Sequence, residues 1–131
     1  MAKEQYILEL GMLEQEAMKL QQQMQMIDQP MFELQNLQFG LQELEKSGEK
    51  EMLANLGKNI FIKTQILNKD LLVDVGNRTF IKKNIPETLK VIEEQLEKLI
   101  DAKNRILQAM QELQEKMERV IVEAESEEKK E

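Results

Sequence analysis

Methionine and carboxylate are the two chemistries this chain has in quantity. Nine of 131 residues are Met, 25 are Asp or Glu, and there is neither Cys nor His. Paired carboxylates can act as general acid and base, but only in a cleft that perturbs their pKa values. Here they recur on what read as solvated helix faces. Five glycines, scattered at 11, 40, 48, 57 and 76, form no phosphate-binding loop. Thiol and imidazole chemistry are excluded, and the usual zinc sites with them. The expectation is a non-enzyme with no cofactor and no metal. Methionine offers something else, a flexible, polarizable apolar surface suited to promiscuous recognition.

Which methionines are free for that role depends on the elements that carry them. Tyr6, Leu10, Leu13, Ala17, Leu20, Met24, Ile27, Met31 and Leu34 alternate in steps of 4 and 3, a heptad seam that predicts a coiled-coil helix over residues 1–47. Leu34, Leu37, Leu41 and Leu44 then read as a skip that overwinds the coil. Pro30 predicts a kink near Gln29. Ser47-Gly48 ends the helix, with Lys46 in its last turn. A second helix is predicted over 85–125, capped by Asn84 with Pro86 in its first turn and Glu87 three residues after the cap. Its seam, from Leu89 through Ile92, Leu96 and Leu99 to Ala124, is broken only by Lys103. Residues 126–131 read as a frayed acidic tail.

Met24, Met31, Met110 and Met117 occupy the seams and fill a core. Met12, Met18 and Met26 do not, nor do Ile7, Leu8, Leu107, Ile121 and Val122. Exposed apolar groups of this kind mark interaction sites; the competing explanation is a wider stripe covered by a neighbouring chain.

Between the arms, residues 48–84 change character. Ile60 to Ile66 is β-branched and roughly alternating, Leu71 to Val75 and Thr79 to Lys82 are strands, and Met52 to Leu56 is a further short one. Turns at Gly57-Lys58-Asn59, Asn68-Lys69-Asp70 and Gly76-Asn77 make this a meander of two hairpins, with no repeat apparent beyond the heptads. So few strands need another layer in water. Ile60, Ile62, Ile66, Val73, Val75 and Phe80 are therefore candidate oligomerisation residues. Arms of matched length predict an antiparallel hairpin rather than two arms pairing with other chains. In that register Tyr6 lies near Ala124, Leu44 near Leu89, and Lys103 opposite Asp28, either as a register-fixing pair or as a lysine snorkelling from the seam.

Net charge is −7. Residues 47–85 carry 7 basic and 4 acidic side chains, so two acidic arms flank a basic middle. That balance disfavours nucleic acid and anionic membranes as partners. No apolar run reaches the roughly 20 residues of a membrane span. Met1-Ala2-Lys3-Glu4 starts no secretory apolar region, and a cytoplasmic location is expected.

Coiled-coil arm, two hairpins, coiled-coil arm resembles prefoldin, in its alpha class. The resemblance covers nearly the whole chain. It is most specific in Leu72-Val73-Asp74-Val75-Gly76 and in Thr79-Phe80-Ile81-Lys82-Lys83-Asn84, followed by Ile85-Pro86-Glu87. It implies a mainly α fold with a small β insert and an ATP-independent chaperone assembled through its hairpins. It further implies that the coiled-coil ends hold unfolded clients for delivery to a group II chaperonin. Ile7, Leu8, Met12, Met18, Met26, Leu107, Ile121 and Val122 are then the candidate client-binding residues. The sequence departs from the family at both turns. Asn55-Leu56-Gly57 stands where a Pro-Leu-Gly-like stretch is usual, and Arg78 stands where a second glycine follows Gly76-Asn77. Some archaeal gamma-prefoldins resemble the alpha class but self-assemble into filaments, so a filament-forming protein is one alternative and a coiled-coil adaptor another.

Overall fold

A computed structural model describes residues 2–48 and 50–130. Glu131, the last residue of the expected tail, lies outside the described residues. Two long helices, α1 (Ala2–Lys46) and α2 (Ile85–Lys130), bracket four strands, β1 (Glu51–Gly57), β2 (Ile60–Gln65), β3 (Leu71–Asp74) and β4 (Phe80–Lys83). β1 pairs with β2 and β3 with β4, each as a two-stranded antiparallel sheet. The chain divides into two compact units, Met1–Phe32 with Glu97–Glu131, and Glu33–Leu96.

In the first unit the two seams meet. Leu13, Leu113 and Val120 are buried, and Tyr6, Leu10, Ala17, Leu20 and Met117 pack against them. Low numbers face high numbers, so the helices run antiparallel. Lys103 Nζ lies 3.3 Å from Asp28 Oδ1, which places the seam-breaking lysine opposite its expected partner. Both groups keep substantial solvent contact, so the pair is worth at most about 1 kcal/mol. It marks register more than it adds stability. α2 continues to Lys130, beyond the expected boundary at 125. The reason is a partner: Lys3 Nζ sits 2.8 Å from Glu128 Oε1, and Tyr6 hydrogen-bonds Glu127, so the last turns of α2 are tied to the first turns of α1. α1 runs through Pro30 as one helix. The proline has no N–H to offer the Met26 carbonyl, and Met26 is exposed.

In the second unit the seam departs from its expected course. Gln38 is half-buried and Leu37 is 49% exposed. The heptad therefore runs Met31, Leu34, Gln38, Leu41, and the overwinding step falls later, between Leu41 and Leu44. Leu37 instead joins Leu71, Leu72 and Val73 of β3 at the edge of a cleft. Helix ends are closed as the physics of orphan groups requires. Glu87 N–H donates to Asn84 Oδ1 at 2.8 Å, the expected cap. A carbonyl in the last turn of α1 and one just beyond the helix accept hydrogen bonds from a residue the sequence did not point to. Lys69 Nζ, in the loop between the sheets, donates to Glu45 O at 3.2 Å and Ser47 O at 2.9 Å. A cation at a helix C-terminus also complements the helix dipole.

The sheets are two copies of one design, a repeat that residue identities alone conceal. Residues 51–64 and 70–83 align with five identities: Leu53/Leu72, Gly57/Gly76, Phe61/Phe80, Ile62/Ile81 and Lys63/Lys82. Their strand registers coincide, Met52↔Thr64 with Leu71↔Lys83 and Asn55↔Phe61 with Asp74↔Phe80. Their ion pairs coincide too, Lys63–Glu51 and Lys82–Asp70, both at 3.2 Å. So do their turns. Gly57 N–H donates to Asn55 Oδ1 at 2.8 Å, and Gly76 N–H to Asp74 Oδ1 at 2.9 Å. Lys58 and Asn59, then Asn77 and Arg78, follow with φ between 50° and 62°. Two successive left-handed residues make the type I′ turn that suits hairpin twist. The departures from the family pattern are thereby explained locally. Asn55 holds its turn with a side-chain hydrogen bond, and Arg78 adopts a conformation that favours glycine, at a cost of about 1–2 kcal/mol.

Candidate functional site

The eight candidate client-binding side chains are all exposed: Ile7, Leu8, Met12, Met18, Met26, Leu107, Ile121 and Val122. All belong to the first unit. Heptad geometry shows why they stay outside. With Leu10, Leu13, Ala17 and Leu20 inward, Ile7 lies on one flank of α1, while Met12, Met18 and Met26 lie on its outer side. On α2, Leu107 and Ile121 lie on a flank two heptads apart, and Ile100, exposed, continues that row. The structure does not gather the eight into one patch. It distributes them over a flank and a back of a helix pair whose seam is complete without them.

Charged side chains share these positions: Lys19 falls one heptad from both Met12 and Met26, and Glu14 lies one heptad after Ile7. The opposite groove, lined by Glu16, Lys19, Gln23, Glu112, Lys116 and Arg119 around Leu20 and Leu113, is charged. At the end where Lys3 meets Glu128, burial raises the Tyr6 phenol above the usual tyrosine value. The charge of Glu127, its hydrogen bond, and Glu123 and Glu9 add to the shift. Lys3, first through its hydrogen bond and then its charge, holds Glu128 below the usual glutamate value. Among the described residues no cluster of three or more acidic side chains is placed to hold a metal ion, and no helix is long and apolar enough to cross a membrane.

The candidate oligomerisation residues divide by exposure, and both sheets contribute to each group. Ile60, Ile62, Val75 and Phe80 are exposed, while Ile66 and Val73 are half-buried. Ile66 N–H donates to Lys50 O, extending the first sheet. Sequence reasoning passed over Phe32, Phe39 and Leu53, all exposed. The seven-residue step from Phe32 to Phe39 is the signal that marks a shared off-seam position. For Leu53 the signal is its match to Leu72 in the hairpin repeat.

Long helices that bury one seam, leave large apolar side chains on their flanks and are joined by bare β-hairpins define a protein that works by contact. The Prefoldin subunit family matches residues 13–130, and the chain belongs to the prefoldin family. The two-helix, two-hairpin arrangement is the prefoldin fold. The chain is 28% identical over 90 residues to prefoldin subunit alpha of Methanosphaera stadtmanae, covering 69% of this chain and 65% of that relative's length. It is also similar to a chain in the cryo-EM structure of filamentous PFD from Methanocaldococcus jannaschii. That match has a TM-score of 0.60 and 26% identity, over 93% of this chain and 97% of the other. Family membership implies a chaperone-type role.

Proposed function

We propose that this chain is an ATP-independent holdase. The exposed apolar residues of its helix pair grip unfolded proteins, and its hairpins gather several copies into one assembly. The observation that carries this is the separation of seam from flank: the seam is filled, yet Ile7, Leu8 and Met12 remain more than half exposed near one end of α1. Such surface gains roughly 25 cal/mol per Å² when a client covers it. One arm therefore binds weakly, and useful affinity comes from several arms holding one client, through effective concentration. The reading places the chain in the cytoplasm and allows hand-over to a group II chaperonin.

The test is suppression of aggregation of a heated client, followed by light scattering. Changing Ile7, Leu8 and Met12 together to Ser weakens protection severalfold, and removing residues 1–12 with 118–131 abolishes it. The number of subunits in the assembly stays unchanged in both. Added salt has little effect, because the contact is apolar. Full protection by the truncated assembly refutes the reading.

The likeness to filamentous PFD favours a second reading of the assembly, in which copies of this chain alone polymerise through the hairpins. Light scattering and electron microscopy of the pure chain decide between polymers and a species that needs a second subunit.

A further inference from the structure

The helix pair of the first unit has two unlike sides. One is the charged groove around Leu20 and Leu113. On the other, Ile7 and Gln21 of α1 and Ile100, Leu107, Gln114 and Ile121 of α2 are all exposed, in rows that repeat on the heptad. Asp28 continues the α1 row. Its ion pair at 3.3 Å with Lys103 lands between Ile100 and Leu107, the residues three before and four after that lysine. The two rows therefore border one another. The next row out on α1 adds exposed Met18 and Phe32. The charge of this side has one sign. Glu14, Glu97, Glu118 and Glu125 stand on these rows or directly outside them, and no basic side chain of the described residues does. Lys3 and Lys103 reach in from the seam, where they hold Glu128 and Asp28. Lys19, Lys116 and Arg119 line the opposite groove.

We infer that this side takes up a client segment as a basic amphipathic α-helix. Its apolar stripe lies along Ile7, Ile100, Leu107 and Ile121, and its Lys or Arg side chains lie over the acidic rim. The inference rests on the holdase reading and names the client class that one side of the arm accepts. Anchors seven residues apart are about 10.5 Å apart, the rise of two helical turns. An extended chain repeats its side chains every ~6.6 Å and does not keep step with them. The described residues of the first unit are helical throughout, so they offer no strand edge. An extended client would bury N–H and C=O groups without partners there, whereas a helix brings its own already satisfied. The rim then selects the sign. Exposed ion pairs add selectivity more than affinity, so salt erases the preference for basic helices while apolar holding persists.

The probes are three fluorescein-labelled peptides of about 20 residues, long enough to run from Ile100 to Ile121. One is a Leu/Lys amphipathic helix, one is the same composition scrambled so that the stripe is lost, and one is the Leu/Glu version of the first. By anisotropy, the full-chain assembly is expected to bind the first and to bind either of the others about tenfold more weakly. The helical circular dichroism of the first rises on binding. Salt at about 0.5 M closes the gap between the basic and acidic helices. Leu107→Ser with Ile121→Ser weakens binding of the first about tenfold. Glu14→Lys with Glu118→Lys removes the preference, whereas Glu16→Lys with Glu112→Lys, the same change of net charge in the opposite groove, leaves it in place. The inference is overturned by a scrambled peptide that binds as well as the helix, by a bound peptide that gains no helicity, or by equal effects of charge reversal in the two grooves. An assembly that protects a heated client but binds none of the peptides also overturns it, and leaves the holdase reading standing. An assembly that neither binds peptide nor protects refutes both.

Discussion

Tyr6 is the one tyrosine in a chain without Trp, and it sits where the two ends of the helix pair meet. Its absorbance therefore reports that end alone. Because the folded state raises its pKa, the stability it contributes is fully present below the ordinary value near 10 and is lost as pH rises through the raised one. Glu128 works the other way. Its pKa is lowered, so its contribution is present above the ordinary value near 4.5 and is lost as pH falls. The phenolate absorbance of the folded chain is expected to titrate above that of the denatured chain, and Glu127→Gln brings the midpoint back toward it. A folded midpoint at or below the denatured one contradicts the described contacts.

At the level of elements, the hairpins and arms are separable in what they need. The arms have their own seams, whereas the hairpins expose most of their apolar residues. Ile62→Asp and Val73→Asp are therefore expected to dissociate the assembly while helical circular dichroism largely survives, because an unpaired charge buried in an interface costs several kcal/mol. Parental mass in both variants would place assembly elsewhere.

Much of this was legible in the sequence. Nearly every seam position is apolar, so both helices, their pairing and the meeting of Lys103 with Asp28 followed from spacing. The seam was misread at Leu37 because the inward residue, Gln38, is polar, and because the leucine lines a cleft with β3 as well as α2. The hairpin repeat escaped because most of its 14 positions differ in identity. Leu53 and Leu72, Gly57 and Gly76, and Phe61-Ile62-Lys63 with Phe80-Ile81-Lys82 are its only traces in residue identity. Lys69 could not be read as a helix cap, since that depends on the path of a loop. The off-seam Met12, Met18 and Met26 were legible as outward-facing.

For the molecule as a whole, the contacts are ordered by how far apart in sequence their partners lie. Met52 pairs with Thr64, Asp28 with Lys103, and Lys3 with Glu128. Closing a loop costs chain entropy that grows with its length, so the hairpins are inexpensive to form. Once the middle of the helix pair is closed, each further turn adds only a short extension. The Lys3–Glu128 end is thus the last part to close and the first to open. Amide exchange is expected to be fastest over roughly residues 3–10 and 120–128 and slower toward Asp28 and Lys103; uniform protection along the pair would contradict this zipper. Transient opening there uncovers Tyr6, Leu10 and Val120 beside the permanently exposed Ile7 and Leu8. The exposed apolar surface at that end then widens by breathing, while the hairpins stay shut.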